Sequence, residues 1–408
     1  MVLYYYTFIL FSSFFKRSDK LFLSGIIAEF NPLHTGHKFL IDAALKDGAV
    51  VCVISGNFVQ RGDTAIAEKR IRTQMALNNG ADLVLELPVY YSCSTAQNFA
   101  FGGVAILDAI GCDRLVFGSE CGDTEILNRA SEILNSPEFS QKLKENMQNG
   151  VTFAAAREQT ALRCGLQNDI LNKPNNNLAI EYINAIKQIN SKMGYETIKR
   201  MGAAHDSDEV TENFVSASLL REKLLTGDYD FCQNYIAKSD LKFLKKDNLS
   251  DIKNIENLIL GILRTKSPTE LSALPDLSEG VENKLFSAIR VATNLEELYN
   301  TLKVKRYTHA RIRRLVLSAV LGADNSLFMK KPPYIRVLGF NKNGEEIIKK
   351  CSQKSRIPII MRAKEIENLG CDAQKVFGLE CTATDLYALS LNKPLECGLE
   401  YKAKLVKG

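Results

Sequence analysis

The segment from residue 21 to residue 46 constrains the fold of this chain more than any other. An apolar run, Leu21 to Ile27, ends in a turn at Asn31-Pro32, and a helix-like segment, Lys38 to Lys46, follows. This order predicts a buried strand, a short loop and the start of a helix. Because a helix N-terminus offers unpaired N–H groups and the positive end of a dipole, the loop should bind an anion of phosphate size.

The loop carries an H-x-G-H pattern, His34-Thr35-Gly36-His37. Gly36 lets a ligand approach the backbone where a Cβ would collide, and both imidazoles can donate hydrogen bonds to phosphate oxygens, more strongly if protonated. Two alternatives stay open, which are a pair of metal ligands and an ordinary loop with a helix cap. No nearby Cys or His completes a zinc site, and two of the four histidines of the chain share this turn.

The H-x-G-H pattern resembles the signature of the HIGH-type nucleotidyltransferase superfamily. The resemblance implies that the protein forms an adenylate from ATP, with His34 and His37 as catalytic residues. In such a reaction a carboxylate attacks the α-phosphorus and pyrophosphate leaves, so fixed donors stabilise the charge that builds on phosphate oxygens. Two other nucleotide-binding patterns, G-x-x-x-x-G-K-[ST] and a G-x-G-x-x-G after a strand, are absent from the sequence.

The composition is typical of a globular protein of two or three domains, with 408 residues, of which 46% are apolar and 24% charged. The net charge of +5 is modest, so any binding of nucleic acid must come from local patches. The ten cysteines are scattered and form no C-x-x-C pair. Without an export signal, they predict reduced thiols in the cytoplasm.

Residues 1–20 do not fit the pattern of the rest of the chain. Met1 to Phe15 is apolar and aromatic, and Lys16-Arg17 follows it. A signal peptide would place positive charge first, and a transmembrane helix needs about 20 apolar residues. We therefore expect an N-terminal extension that is foreign to the fold, with a mis-assigned start codon as one origin. A weak membrane anchor is the alternative, and otherwise no membrane contact is expected.

Residues 21 to 136 alternate between short apolar runs and amphipathic segments. Strands are predicted at Leu23–Ala28, Ala49–Ser55, Leu83–Leu87 and Arg114–Phe117, and helices at Lys38–Lys46, Ile66–Asn79, Ala96–Ile110 and Thr124–Leu134. Continuous apolar runs are typical of parallel strands that are buried on both faces. The fold class is therefore α/β, a doubly wound parallel sheet of the Rossmann type, with ligands bound at the carboxyl ends of the strands.

The rest of the chain is predicted to be largely helical before a small C-terminal α/β segment. Helices are expected over 137–165, from about Leu178, and from Ser216 to about Ala323, with strands at Tyr195–Met201, Tyr334–Phe340 and Pro358–Met361 and a hairpin turn at Asn341–Gly344. This pattern predicts a nucleotide-binding domain over 21–225 and a helical and C-terminal region over 226–408.

Four further candidates lie in loops or beside strand ends. Arg61, in the glycine-containing loop after the second strand, could bind phosphate or a substrate carboxylate, and Gly118 after the fourth strand could let a nucleotide approach the backbone. Asn175 lies in an asparagine run before a helix, and Arg200 follows a strand. The alternatives are a solvated loop, a turn glycine, a helix cap and a surface arginine.

A second phosphate-binding motif is predicted at Val215-Ser-Ala-Ser-Leu-Leu-Arg221. Ser216 can cap a helix whose first turn exposes N–H groups, and Ser218 can add a hydroxyl. Arg221 lies one helical turn after Ser218, on the same face. Alone the pattern is common at helix starts, but together with the H-x-G-H turn it predicts a second cradle for phosphates.

A basic run between Lys303 and Arg314 is the third candidate site. Its residues Lys305, Arg306, Arg311, Arg313 and Arg314 could bind the phosphates of an RNA backbone, with Tyr307 available for stacking. The alternative is the solvated face of an amphipathic helix.

Several stretches together resemble the tRNA(Met) cytidine acetate ligases over about residues 23 to 408. They are AEFNPLHTGH, SGNFVQRGD, DLVLELP, FGSE, PNNN before LAIEY, IKR and RYTHARIRR. The resemblance implies that the protein activates acetate with ATP and transfers the acetyl group to the wobble cytidine of elongator tRNA(Met). It also implies which residues contact ATP. These are Ile27, Ala28, Glu29, Phe30, Asn31, Pro32, Leu33, His34, Thr35, Gly36, His37, Lys38, Phe39, Leu40, Gly118, Asn175 and Arg200, with Ser216, Ser218 and Arg221 from the second motif.

Within the run of three asparagines, Asn176 is a near-equal candidate to Asn175 for the contact with ATP. The sequence also departs from the family pattern. Val215 and Ala217 replace the usual Ile and Ser of the second motif, and Ser218 replaces Thr. These changes keep the chemistry of a helix start but weaken the assignment of individual hydroxyls.

The predicted function is therefore a cytoplasmic ATP-dependent, AMP-forming ligase that makes N4-acetylcytidine in tRNA. Mg²⁺ is expected to accompany ATP, although no carboxylate cluster indicates a metal site in the protein. One alternative is an adenylyltransferase of the same superfamily that acts on a small metabolite. Another is a non-catalytic tRNA-binding protein with a vestigial nucleotide fold. The residues alone reveal neither the acid that is activated, nor the tRNA, nor the oligomeric state.

Overall fold

The computed structural model describes residues 21–148, 151, 153–200, 215–277, 280–303 and 307–408. The predictions for residues 1–20, Met201, Lys305 and Arg306 lie outside these residues.

The strands of the described residues lie in two sheets. They are β1 (Leu23–Ala28), β2 (Ala49–Ser55), β3 (Phe58–Val59), β4 (Asp63–Thr64), β5 (Leu83–Leu87), β6 (Arg114–Ser119), β7 (Gly194–Lys199), β8 (Ile335–Phe340), β9 (Ile359–Ile360) and β10 (Val406–Lys407). The large sheet has the order β10-β8-β5-β2-β1-β6-β7, and β9 pairs with β8. Only the β5–β8 pair in this sheet is antiparallel, so the predicted parallel α/β fold is confirmed.

The helices of the first half are α1 (Thr35–Leu45), α2 (Lys69–Asn78), α3 (Val89–Ser92), α4 (Ala96–Ile110), α5 (Thr124–Leu134), α6 (Pro137–Met147), α7 (Phe153–Arg163) and α8 (Pro174–Ile189). Those of the second half are α9 (Ala217–Thr226), α10 (Tyr229–Cys232), α11 (Lys238–Leu241), α12 (Glu256–Thr265), α13 (Pro268–Ser272), α14 (Val281–Val291), α15 (Leu295–Leu302), α16 (His309–Leu321), α17 (Lys342–Cys351), α18 (Cys371–Ser390) and α19 (Leu399–Lys402). Short 3₁₀ turns lie at Lys246–Asn248, Ile252–Ile255, Asn325–Leu327 and Ala363–Asn368.

Several predicted boundaries differ from the structure. Helix α1 begins at Thr35 because the His34 side chain caps it, and α8 begins at Pro174, whose fixed φ suits a first helical position. Helix α2 begins at Lys69 because the Glu68 side chain caps it, accepting a hydrogen bond from the Arg70 N–H at 2.8 Å. Strand β6 extends to Ser119, so Gly118 lies inside the strand and not after it.

The hairpin turn predicted at Asn341–Gly344 is wrong. The Asn341 side chain accepts a hydrogen bond from the Gly344 N–H at 3.0 Å and caps helix α17. The strand before it, β8, joins the central sheet beside β5, with Leu83 opposite Phe340. The central sheet therefore contains strands from both sides of residue 225.

Helices cover both faces of the sheet. Successive residues of β1 point to opposite faces: Ile27 packs into one core with α4, α5 and α8, and Ile26 into another with α1, α2 and α9. Helices α12, α14, α15 and α16 form a third core of their own. Among the described residues, no helix has both the length and the apolar character needed to cross a membrane.

A buried charge cluster joins the C-terminal helices to the sheet. Lys69 Nζ on α2 makes ion pairs with Glu86 of β5, with Glu380 of α18 at 3.0 Å and with Glu400 of α19 at 2.5 Å. Arg336 of β8 pairs with Glu86 at 3.4 Å and also with Glu400. The three carboxylates lie close enough together to suggest a metal site, but the Lys69 ammonium lies between them and pairs with all three. The cluster is therefore a structural ion-pair network.

Candidate active site

A cavity of about 240 Å³ opens beside the carboxyl ends of β1, β6 and β7. This is the edge at which parallel sheets bind ligands. The cavity is also lined by the starts of α1, α8 and α9 and by the loop after β2. Most of the predicted ATP-binding residues line it, namely Ile27, Ala28, Glu29, Asn31, His34, Gly36, His37, Phe39, Leu40, Gly118, Asn175, Arg200, Ser216, Ser218 and Arg221.

Five residues predicted to contact ATP do not line this cavity. Phe30, Pro32 and Leu33 are buried beneath the turn. The Thr35 N–H donates to the Tyr235 carbonyl at 2.8 Å, and Lys38 forms an ion pair with Asp42. The cavity wall is therefore built from the residues that neighbour these five in the sequence.

The H-x-G-H turn holds its two imidazoles side by side. His34 Nδ1 accepts a hydrogen bond from the Gly36 N–H at 3.1 Å, and the two ring centroids lie 4.1 Å apart. Phe30, in a left-handed conformation with φ 47°, packs edge-on against His37 with the centroids 5.2 Å apart. Because Nδ1 of His34 is an acceptor, the hydrogen-bond network places the ring proton on Nε2, which can donate to a ligand.

Both imidazoles are neutral in the ligand-free protein. Burial, followed by the charges of Arg200 and Arg221, lowers the pKa of His34 to about 3. Burial, followed by His34 and Arg200, also holds the pKa of His37 well below its ordinary value. In this state the two imidazoles would therefore donate as neutral rings, without the extra strength that protonation gives.

The two predicted phosphate motifs meet in space. Ser216 caps α9 by accepting from the Leu219 N–H at 3.2 Å. Arg221 donates to the Asn31 carbonyl at 2.9 Å and to Ser218 Oγ at 3.2 Å, although Asn31 lies 190 residues earlier in the chain. The helix starts of α1 and α9 therefore face one cavity.

The asparagine run contributes one residue to the cavity and one to its wall. Asn175 lines the cavity and donates through Nδ2 to Glu120 Oε1 at 2.7 Å. Asn176 is buried, and its Oδ1 accepts from the N–H groups of Glu120 and Cys121 at 3.0 and 3.1 Å. The geometry favours Asn175 over Asn176 as the residue available to a nucleotide.

Sequence analysis missed Arg72, which fastens the strand ends beneath the cavity. Its guanidinium is fully buried and donates to the carbonyls of Glu29 at 2.7 Å and Ser55 at 3.0 Å, and also to that of Gly56. The only available signal was a charged residue three positions after Lys69 on a helix that packs on the sheet. Nothing in the sequence indicated that its partners would be the carbonyls at the ends of β1 and β2.

The cavity is strongly cationic. Arg61, Lys199, Arg200 and Arg221 line it, and Glu29 is the one acidic residue among the described lining residues. Arg61 Nη1 lies 3.5 Å from Ser218 Oγ, which brings the loop after β2 to the second motif. Such an excess of positive charge suits a triphosphate.

The described part of the basic run lies near the cavity, and two of its arginines already have protein partners. Arg311 and Arg314 both reach Asp276, at 3.1 and 3.6 Å, and Arg314 donates to the Gln60 carbonyl at 3.0 Å. Tyr307 is buried with the Arg311 guanidinium 4.1 Å from its ring centroid, so the expectation that it is available for stacking is wrong. The assignment of this run to tRNA binding stays a prediction.

Fold and cavity together define an α/β nucleotide-binding protein of the HIGH type. The HIGH Nucleotidyl Transferase family model matches residues 22–400. A tRNA(Met) cytidine acetate ligase of Thermoanaerobacter sp. strain X514 is 40% identical over 94% of this chain and 99% of that protein. One from Clostridium perfringens strain ATCC 13124 is 33% identical over 93% of this chain and 98% of that protein.

Two solved crystal structures are similar to this chain over nearly its whole length. The apo crystal structure of Thermotoga maritima TmcAL superposes with a TM-score of 0.88 at 29% identity, over 95% of this chain and all of that one. A second form of that protein, bound with alpha-thio ATP, gives a TM-score of 0.86. The chain belongs to the tRNA(Met) cytidine acetate ligase family.

Proposed function

We propose that this protein activates acetate as acetyl-adenylate and transfers the acetyl group to the exocyclic amine of the wobble cytidine of elongator tRNA(Met), forming N4-acetylcytidine. The observation that carries the proposal is the single cavity in which the H-x-G-H turn and the Ser216–Arg221 helix start meet. Relatives that match nearly the whole chain bear the name of this activity.

In the first half-reaction, the acetate carboxylate attacks the α-phosphorus of ATP and pyrophosphate leaves. His34, through Nε2, and His37 donate hydrogen bonds to the phosphate oxygens. Arg200 and Arg221 offset the negative charge of the phosphates, and the N-termini of α1 and α9 add unpaired N–H groups. These groups are in place before ATP binds, because caps and carbonyl contacts fix both helix starts.

Mg²⁺ enters this site with ATP. The described lining residues offer a single carboxylate, too few to hold the ion by themselves, whereas Mg²⁺ is commonly bound through substrate phosphates. The role of the ion would be to offset charge on the leaving pyrophosphate.

In the second half-reaction, the cytidine amine attacks the acetyl carbon and AMP leaves. We place the tRNA against the basic run, Lys305, Arg306, Arg311, Arg313 and Arg314, because the start of α16 touches the rim of the cavity. A Cβ added to Gly62, next to the cavity residue Arg61, would lie 2.6 Å from Arg313 Cβ. We place the reaction in the cytoplasm, where the ten unpaired cysteines would stay reduced.

The test combines two assays on the purified chain. Pyrophosphate should exchange into ATP when acetate is present and not when it is omitted. Mass spectrometry should find N4-acetylcytidine in elongator tRNA(Met) after incubation with ATP and acetate, and should find it missing from the bulk tRNA of a deletion strain. Exchange that ignores acetate but needs a phosphorylated metabolite would identify a small-metabolite adenylyltransferase instead. Binding of tRNA without any exchange would identify a non-catalytic tRNA-binding protein.

A further inference from the structure

The acetyl-transfer step has to dispose of a proton. When the lone pair of the cytidine amine forms a bond to the acetyl carbon, the bond between that carbon and the AMP oxygen breaks. The nitrogen then carries one proton more than the amide product. An exocyclic amine of a base is a weak nucleophile, so a proton acceptor beside it accelerates the step, typically by about 10² to 10⁴.

The two histidines of the turn are poorly placed to accept that proton. His34 Nδ1 is engaged by the Gly36 N–H, so its other nitrogen is a donor. His37 Nδ1 is shielded from solvent and has no hydrogen-bond partner among the described residues. Both rings are suited to holding phosphate oxygens and leave the acceptor role to another group.

Glu29 is the acidic side chain that the described part of the cavity wall offers. It follows β1 and precedes the H-x-G-H turn, on the segment that would meet the α-phosphate. Its position is fixed twice, because Arg72 binds its carbonyl at 2.7 Å and the Gln60 N–H donates to its Oε1 at 2.9 Å. For Oε2 the structure records no hydrogen-bond donor among the described residues, so this oxygen is the one that can face a substrate.

The described groups around Glu29 do not form a buried salt bridge with its carboxylate. Glu29 interacts electrostatically with Arg72 on α2, whose donors are occupied by carbonyls, with Tyr182 on α8 and with Cys93 after α3. The cations Arg61, Lys199, Arg200 and Arg221 line the same cavity. Burial, and after it the Glu29 carboxylate, holds the pKa of Tyr182 above its ordinary value, so that hydroxyl stays protonated.

We propose that Glu29 is the catalytic base of acetyl transfer, accepting the proton that the cytidine amine loses as AMP departs. This inference rests on the proposed function. The N4 nitrogen bonds to the acetyl carbon, the acetyl–AMP bond breaks with its electron pair going to AMP, and one N4 proton moves to the Glu29 carboxylate. The protonated Glu29 returns the proton to solvent after the products leave.

The experiment measures acetyl transfer and adenylation separately. Acetyl-adenylate is supplied directly with elongator tRNA(Met) in a single turnover, and acetate-dependent pyrophosphate exchange is measured without tRNA. Glu29→Gln keeps an oxygen for the Gln60 N–H but cannot take a proton at neutral pH. We expect transfer to slow by about 10² or more, while exchange slows at least tenfold less than transfer.

Glu29→Asp is the second variant, because it keeps the charge but sets it back by one methylene. Its transfer rate should lie between those of the parent and Glu29→Gln. Thermal unfolding of both variants checks the fold. The proposal is overturned if Glu29→Gln transfers within about threefold of the parent, or if exchange and transfer fall equally, which would place Glu29 in adenylation. If the parent itself neither exchanges nor transfers, it is the proposed function that fails.

Discussion

Replacing Arg314 by Met should damage adenylation, although sequence analysis assigned this residue to tRNA. Arg314 is only 14% exposed in its side chain, and its Nη1 donates to the Gln60 carbonyl at 3.0 Å. The Gln60 N–H in turn binds Glu29 at 2.9 Å, and Arg61 beside it lines the cavity. The loop between β3 and β4, which contains Gln60 and Arg61, is therefore held at the Gln60 carbonyl by α16 and at the Gln60 amide by Glu29.

The size of the effect follows from the lost contact. A hydrogen bond to a charged donor contributes about 1.5–3 kcal/mol, and Met leaves the Gln60 carbonyl without that donor. If the whole loss of free energy destabilised the catalytically competent position of the loop, the population of that position would fall by about 10- to 100-fold, since every 1.4 kcal/mol is tenfold. Because Glu29 still holds the Gln60 amide, we expect acetate-dependent pyrophosphate exchange without tRNA to fall by about tenfold.

Arg311→Met is the matched control. Arg311 lies one turn earlier on α16 and pairs with the same Asp276 at 3.1 Å, but its recorded hydrogen bonds go to Asp276 and not to the loop. Its exchange rate should stay within about twofold of the parent, with thermal unfolding measured for both variants. Equal losses in the two variants, or normal exchange in Arg314→Met, would refute the argument that the loop is positioned from α16.

Four other perturbations test separate parts of the structure. His37→Ala should slow exchange by about 10² or more while leaving tRNA affinity nearly unchanged, because a preorganised donor to phosphate is lost. Since the pKa of His34 falls from 6.5 to about 3 on folding, the unfolded chain binds the extra proton between these values. His34 should therefore make the stability measured by urea unfolding fall below pH 6.5, contributing at most about 1.4 kcal/mol per pH unit, and His34→Asn should remove this contribution to the slope. Lys69→Met leaves the buried Glu380 carboxylate without its cation, whereas Arg336 still pairs with Glu86 and Glu400. It should lower the free energy of unfolding by about 3–5 kcal/mol, part of which Glu380→Gln should restore in the double variant. Gly62→Ala places a Cβ 2.5 Å from the Arg314 N at a φ of +73°, so it should lower the melting temperature and reduce exchange as Arg314→Met does.

The sheet was predictable because its strands are buried on both faces. The bounds of β1, β2 and β5 were predicted to the residue, since a continuous apolar segment bounded by polar residues leaves little choice of where a buried strand begins and ends. The site was predictable for a related reason. The carboxyl ends of parallel strands share one edge, so loops far apart in sequence had to meet there.

What the sequence could not supply were contacts decided by tertiary packing. Asn341-Lys-Asn-Gly344 suits a hairpin turn and a helix cap equally well, and packing beside β5 decides for the helix. The partner of Lys69 at 3.0 Å is Glu380, which lies 311 residues away in the chain. No local sequence pattern indicates such a pair, because a lysine or a glutamate on its own is typical of a solvent-exposed surface.

The basic run shows how contacts that are decided by tertiary packing change a prediction of function. A run of cations predicts one unit of salt slope in tRNA binding for each phosphate contact. In the structure Arg311 and Arg314 already share Asp276, and Arg314 also holds the cavity loop, so these two are unlike free surface cations. Neutralising Arg311, Arg313 and Arg314 together should therefore lower the salt slope of tRNA binding by fewer than about three units, and should reduce exchange without tRNA through Arg314 alone. A slope that falls by the full three units, with exchange intact, would show that tRNA displaces Asp276 and takes both arginines. That result would assign the whole run to the RNA surface.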